Sequence, residues 1–215
     1  MRPLIKLDSM KATMKTLSAI LICCFISTIQ MYGENIQRPE SENYVKGVEA
    51  LNEGNPEAAY TYLNAEINEH PDNGYAHCYM ALICNFCNDT KLALKALNSS
   101  LELIPEADTE YRSFAHYSRG VLLTNLKMWE HAEADLNEAI RLNPEDVENY
   151  KSRAQLYFET ERYEESLDDL TRALKLDSKA DVNDLVLQLM AVAPTSEFME
   201  RITATYQQLD QVTIH

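Results

Sequence analysis

Glycine is scarce, with five residues in 215. A β fold rich in tight turns uses more, so the composition points to helices. Bases are also few: Lys and Arg number 19 against 34 Asp and Glu, for a net charge of −15. Residues 1–33 take four of those bases (Arg2, Lys6, Lys11, Lys15) and one acid (Asp8), so the remainder holds 15 bases and 33 acids. Such a surface repels phosphate backbones, which excludes nucleic acid as a partner, and it disfavours anionic membranes. The sequence lacks a Gly-rich phosphate loop, an HExxH and a GxSxG. Its carboxylates are spread along helical faces as solvated groups rather than gathered for acid–base work. No enzyme activity, cofactor or metal is expected.

The run Leu17 to Ile29 is apolar for 13 residues, short of the roughly 20 that a spanning helix needs. Lys11 and Lys15 precede it, and Gln30 with Tyr32-Gly33-Glu34 closes it. Residues 1–33 therefore read as a signal peptide cut near Gly33, with Met14 as an alternative start. A retained anchor is the competing reading, and only that would bring the chain to a membrane. Lipidation is a third, but Ile22 before Cys23 and Cys23 before Cys24 are poor contexts. Export would leave Cys78, Cys84 and Cys87, an odd count that excludes a fully paired disulfide framework.

One set of columns recurs four times. Leu63, Leu97, Leu136 and Leu170 are spaced 34, 39 and 34. Gly47, Ala81, Gly120 and Ala154 keep the same steps, as do Ala59, Ala93, Ala132 and Ser166, and Pro71, Pro105, Pro144 and Ser178. A stride near 34 is the signature of stacked helix–turn–helix units. In the fourth unit, Tyr150, Ala154 and Tyr157 share one face of a first helix. Thr160-Glu161-Arg162 makes a turn, and Leu167, Leu170 and Leu174 line a second helix. These residues, with Tyr163, Ala173 and Leu176, resemble a tetratricopeptide repeat. The third unit resembles it as well through Gly120, Trp129, Ala132, Leu136, Ala139 and Pro144. The second is weaker, and in the first Glu66 stands where a small residue is usual.

The resemblance implies an all-α solenoid of the tetratricopeptide type, from an exported bacterial protein. It places four units over residues 40–178 (about 40–73, 74–107, 108–146 and 147–180), after a short linker at 34–39. Physical reasons support the columns. Small residues let two helix axes approach, leucine fills the space between them, and proline stops the second helix. The longer second stride places five extra residues in Glu106–Arg112. These read as about one and a half turns added to the third unit's first helix, since Ala107 to Tyr117 holds no Gly or Pro; a projecting loop is the alternative. Residues 179–215 break the pattern. Val182 to Val192 reads as a helix with Leu185, Leu189 and Val192 on one stripe. Pro194 ends it and Thr195 caps another carrying Phe198, Ile202 and Leu209. This pair is either a cap or a divergent unit.

Cys84-Asn85-Phe86-Cys87 is a CxxC near the C-terminal end of a first helix, where the dipole disfavours a thiolate. It reads as packing before disulfide or redox chemistry. His77 aligns with Tyr150 and so takes an aromatic slot rather than a metal. Arg119 and Arg153 match Asp135 and Asp169, whereas the second unit has Met80 and Ala96 in both places. The joint loss marks intra-unit ion pairs, with a ligand-gripping role as the alternative.

In the family that these units resemble, the first helices build a concave face. That resemblance places Tyr44, Val48 and Leu51 on it, then Tyr75, Cys78, Leu82 and Phe86. Phe114, Tyr117, Val121 and Asn125 follow, and then Lys151, Gln155 and Phe158. The face is aromatic and poor in charge, suited to an apolar peptide. Tyr44, Val48, Tyr79, Phe114 and Ser118 stand where some members carry a carboxylate clamp, so C-terminal carboxylates are not the expected ligand. The expected function is a non-catalytic scaffold for a protein or peptide, in a bacterial periplasm or at the cell surface. An adaptor subunit of an envelope assembly or enzyme complex is the alternative.

Overall fold

The computed structural model describes residues 36–193 and 195–212. The expected signal segment, and Pro194, lie outside the described residues. Among the described residues there are ten helices and no strand. They are α1 (Glu42–Asn52), α2 (Pro56–Glu69), α3 (Gly74–Phe86), α4 (Thr90–Leu103), α5 (Thr109–Asn125), α6 (Trp129–Leu142), α7 (Val147–Glu159), α8 (Tyr163–Leu176), α9 (Asn183–Val192) and α10 (Ser196–Val212). None of the described helices is long and apolar enough to cross a membrane. The chain divides between Asp108 and Thr109 into two compact units. The first holds the pairs α1/α2 and α3/α4. The second holds α5/α6, α7/α8 and the terminal α9/α10.

Within each pair, contact centres on the small column. A Cβ placed on Gly47 would stand 2.7 Å from Leu63 Cγ, and one on Gly120 would stand 2.8 Å from Leu136 Cγ. These separations lie inside van der Waals contact, so the helices meet only because no side chain intervenes. Ala81 and Ala154 hold the same column and are buried, as are Ala59, Ala93, Ala132 and Ser166 from the partner helices. Leu63, Leu97, Leu136 and Leu170 are at most 2% exposed. Gly74 makes a further close approach, since a Cβ there would lie 2.8 Å from the backbone nitrogen of Ile104.

Each pair is joined by a three-residue turn of one design. Gly54, Asn88, Lys127 and Glu161 all have φ near +60 to +70°, at 71, 59, 58 and 61°. Each donates to a carbonyl three residues back. The next residue then donates to the carbonyl five residues back: Asn55 to Ala50, Asp89 to Cys84, Met128 to Leu123 and Arg162 to Tyr157, at 2.8–2.9 Å. This is the Schellman closure of a first helix. That next residue is also the N-cap of the second helix. Asn55 and Asp89 accept from the backbone N–H three residues on, whereas Met128 and Arg162 make no side-chain cap. Arg162 instead stacks its guanidinium 4.2 Å over the Tyr157 ring and donates to both oxygens of Glu133 at 2.9 Å.

Four of the five added residues lengthen a helix, and the fifth lengthens the connector before it. α5 runs 17 residues, against 13 for α3 and α7. The added length is four residues, about one turn, and no loop projects from it. The terminal pair joins the core of α7/α8: Leu185, Val186, Leu189, Phe198 and Ile202 cluster with Tyr150, Leu167, Leu170 and Leu174. Thr195 caps α10 by accepting from Phe198 N at 3.1 Å. The expected stripe on α9 needs one correction. Val186 is buried in place of Val192, which is 39% exposed because the last turn of α9 runs past the core.

Two outcomes test this packing. Gly120→Leu should cost about 3 kcal/mol by overpacking against Leu136, read from the midpoint of a urea melt. Lys127→Gly should stabilise. Relief of a left-handed side-chain conformation is worth about 1–2 kcal/mol and the added freedom of the unfolded chain takes back about 0.5–1, leaving a net gain of ~0.5 kcal/mol.

Candidate functional site

The first helices supply the candidate faces, and each unit presents its own. In the second unit α5 packs on α7 as well as on α6. Phe114 is buried, and its ring lies against that of Tyr117 with centroids 6.4 Å apart and planes 24° off parallel. Tyr117 and Val121 are half-buried, and Asn125 is exposed at the end of the helix. On α7, Lys151 donates to Glu148 at 2.8 Å and Gln155 to Glu159 at 2.9 Å. Both polar groups are thus held along their own helix. Phe158 packs against the core and tilts on Tyr163 at 5.7 Å. Tyr117 and Val121 therefore present partly open apolar surface on α5, with Asn125 exposed near its end.

In the first unit, Tyr44 is buried and its ring is tilted against Tyr79 at 6.1 Å. Tyr75 is 5% exposed and donates its hydroxyl to Asp108 at 2.9 Å. Val48, Leu51, Leu82 and Phe86 are half-buried. Cys78, expected on the same face, is 0% exposed, and burial pushes its thiol up to about 12. It is core, because its helix turns that position inward toward Ser100.

Cys84 and Cys87 are free thiols. Cys84 ends its helix buried, and burial, then Asp89 and Cys87, push its pKa up to about 11. That is the reverse of what thiolate chemistry requires. His77 does sit in the Tyr150 slot. Its Nε2 lies 3.0 Å from Pro71 O, as the Tyr150 hydroxyl lies 3.0 Å from Pro144 O. Both side chains hold the connector preceding their own pair.

The two Arg–Asp pairs form as bidentate forks. Arg119 meets Asp135 at 2.7 and 2.8 Å, and Arg153 meets Asp169 at 2.8 and 2.7 Å. Arg153 also donates to Asn137 at 2.6 Å. Their forks are spent inside the unit. Burial pushes both carboxyls up. At Asp135 the hydrogen bonds from Arg119 and His116 outweigh burial, and the net pKa is lowered. Asp169 lacks a histidine and has Asp168 beside it, so it stays raised.

Sequence reasoning missed a different fork. Arg38, ahead of α1, reaches Asp108, which is 1% exposed. Neither residue falls in a repeating column. The extra stretch Glu106–Arg112 was the only hint, and it spoke of length rather than of a partner.

Residues 115–146 and 148–179 match the Tetratricopeptide repeat family model. Tetratricopeptide repeat protein 6 of Homo sapiens is 24% identical over 143 residues, covering 66% of this chain and 26% of that protein. The Lipoprotein NlpI homolog of Haemophilus influenzae is 31% identical over 87 residues, covering 40% of this chain and 28% of that one. The chain thus spans about a quarter of the length of these curated relatives. The solved structure of MamA 41-end from Desulfovibrio magneticus RS-1 superimposes with a TM-score of 0.63 at 19% identity, covering 79% of this chain and 94% of that one. This likeness is one of fold.

The ion pairs yield a test. Asp135→Ala should cost about 3 kcal/mol by leaving Arg119 half-buried without its partner. The double change Arg119→Met with Asp135→Ala copies the second unit's Met80 and Ala96, and should lie within about 1 kcal/mol of the native chain. Because the Asp135 pKa is lowered on folding, its contribution is complete above the ordinary carboxylate value. It fades as pH falls through the lower folded value. Melts of the native chain and of these two variants between pH 7 and pH 3 check both statements.

Proposed function

For a chain built of tetratricopeptide repeats, we propose a non-catalytic scaffold that holds a protein or peptide on the first-helix faces of its units. The observation that carries it is the partly open apolar surface at Tyr117 and Val121 in the second unit, and at Leu82 and Phe86 in the first. Backbone turns and ion pairs fix these helices before any partner arrives, so little ordering cost falls on binding. The acidic surface favours encounter with a basic partner. The untitrated character of the buried cysteines and the engagement of both arginine forks support a role without chemistry.

The apolar run at Leu17–Ile29 and the name of the Haemophilus relative, a lipoprotein, support placement in the cell envelope. A second reading makes the array an adaptor subunit of an envelope assembly, whose activity belongs to a bound catalytic partner. Fixed stoichiometry of a recovered complex would favour the adaptor, and varied clients the general holder.

Tyr117→Ala and Phe86→Ala should each weaken partner capture about 30-fold, the scale of losing an aromatic anchor. The helical circular dichroism signal should stay within a few per cent of native. Loss of helicity in proportion to loss of binding would assign these rings to packing and remove the proposal.

A further inference from the structure

The segment ahead of α1 has no helical structure, yet it lies on the first unit in a fixed way. Ile36, Arg38 and Pro39 are half-buried, whereas Gln37 and Glu40 are exposed. Arg38 Nε and Nη2 donate to Oδ2 and Oδ1 of Asp108, both at 3.0 Å, across 70 residues of sequence. The Tyr75 hydroxyl donates to the same Oδ2 at 2.9 Å. Tyr75 comes from the first turn of α3, and Asp108 from the end of the connector after α4. Asp108 is 1% exposed and Tyr75 5%, so a carboxylate is held deep in the unit, oriented by a buried phenol, with Arg38 as its cation.

A carboxylate so placed favours a cation, and the two parallel hydrogen bonds select a guanidinium over an ammonium. We propose that Tyr75 and Asp108 form a receptor for an arginine on an extended segment of a partner protein, and that Arg38 is its built-in occupant. This rests on the scaffold reading above and names the partner chemistry that one face of it takes.

Three features make the occupant exchangeable rather than a mere staple. The segment is short and none of residues 36–40 is fully buried, and such segments open first. Pro39 holds Arg38 in extended backbone, so what the receptor reads is an extended arginine rather than a helix. The junction with α1 is weakly made: Ser41 is the N-cap but forms no capping hydrogen bond, and its buried hydroxyl has no partner. Lifting residues 36–40 therefore breaks no cap and unwinds no helix. The acidic surface draws basic segments toward the site. Tethering gives Arg38 a high effective concentration, so only a partner with further contacts displaces it.

The test uses the full chain carrying Arg38→Gln, whose amide can still hydrogen-bond to Asp108. The probe is a fluorescein-labelled, end-blocked hexapeptide Ile-Gln-Arg-Pro-Glu-Ser, with the same peptide carrying alanine for arginine as control. Anisotropy should show the arginine peptide binding R38Q at least tenfold more tightly than the native chain, with no saturable binding of the alanine peptide. Adding Tyr75→Phe or Asp108→Asn to R38Q should weaken binding at least tenfold. A folded R38Q chain that ignores the arginine peptide, or binds both peptides alike, would overturn the proposal. Should R38Q lose its helical signal, the native chain decides. Millimolar arginine peptide should speed amide exchange of residues 37, 38, 40 and 41 in a saturable way, and no change would overturn it. Partner capture that needs Tyr117 and Phe86 but ignores Asp108 would remove this proposal alone. Arginine-peptide binding without any such capture would remove the scaffold reading alone.

Discussion

The structure depends on one steric constraint, the near contact of two helix backbones at a position that tolerates nothing larger than a methyl group. Gly47 over Leu63 and Gly120 over Leu136 show it at its tightest. A leucine seated against bare backbone fixes both the separation of the axes and their rotation about each other, because ridges on one helix have only that groove to enter. Once two helices are fixed so, the outer surface of the first helix of each pair is fixed as well. The half-buried rings of α3 and α5 are therefore a consequence of packing on the opposite side of the same helices.

Electrostatics refines this frame without creating it. The second pair has Met80 and Ala96 where the third has Arg119 and Asp135, and both pairs close equally around their small columns. The forks therefore add selectivity of pairing to a contact that apolar residues can also make. His116 shows how local such tuning is: its hydrogen bond joins that of Arg119 in lowering the Asp135 carboxyl, whereas Asp169, without a histidine and beside Asp168, stays raised.

The parts legible in the sequence were those that repeat. Small columns and leucines recur four times at steps of 34, 39 and 34, and the Arg–Asp pair twice, so the copies support each other, and the added five residues could be read as helix because they contain no breaker. The family model matches the third and fourth copies, the two that carry the Arg–Asp pair. What did not repeat was hidden. The Arg38–Asp108 fork joins two non-repeating segments 70 residues apart, and nothing in either segment names the other. The left-handed backbone of the turns comes readily to Gly54 but not to Lys127 or Glu161, since neither residue type favours it; the hydrogen bonds of the turn impose it. On the candidate faces, the sequence placed residues on the right helices but could not tell a half-open ring such as Tyr117 from a buried one such as Phe114, because a shift of three residues along a helix decides that.

The turn within each pair has a consequence for how such a chain can change over generations. One residue finishes the first helix and begins the second, so an insertion or deletion there would break two ends at once. All four turns keep three residues. Connectors between pairs carry no such double duty, and they range from four to six residues. Added length is thereby tolerated at one edge of the repeat, where it extends a helix instead of destroying a junction, as in the 17 residues of α5.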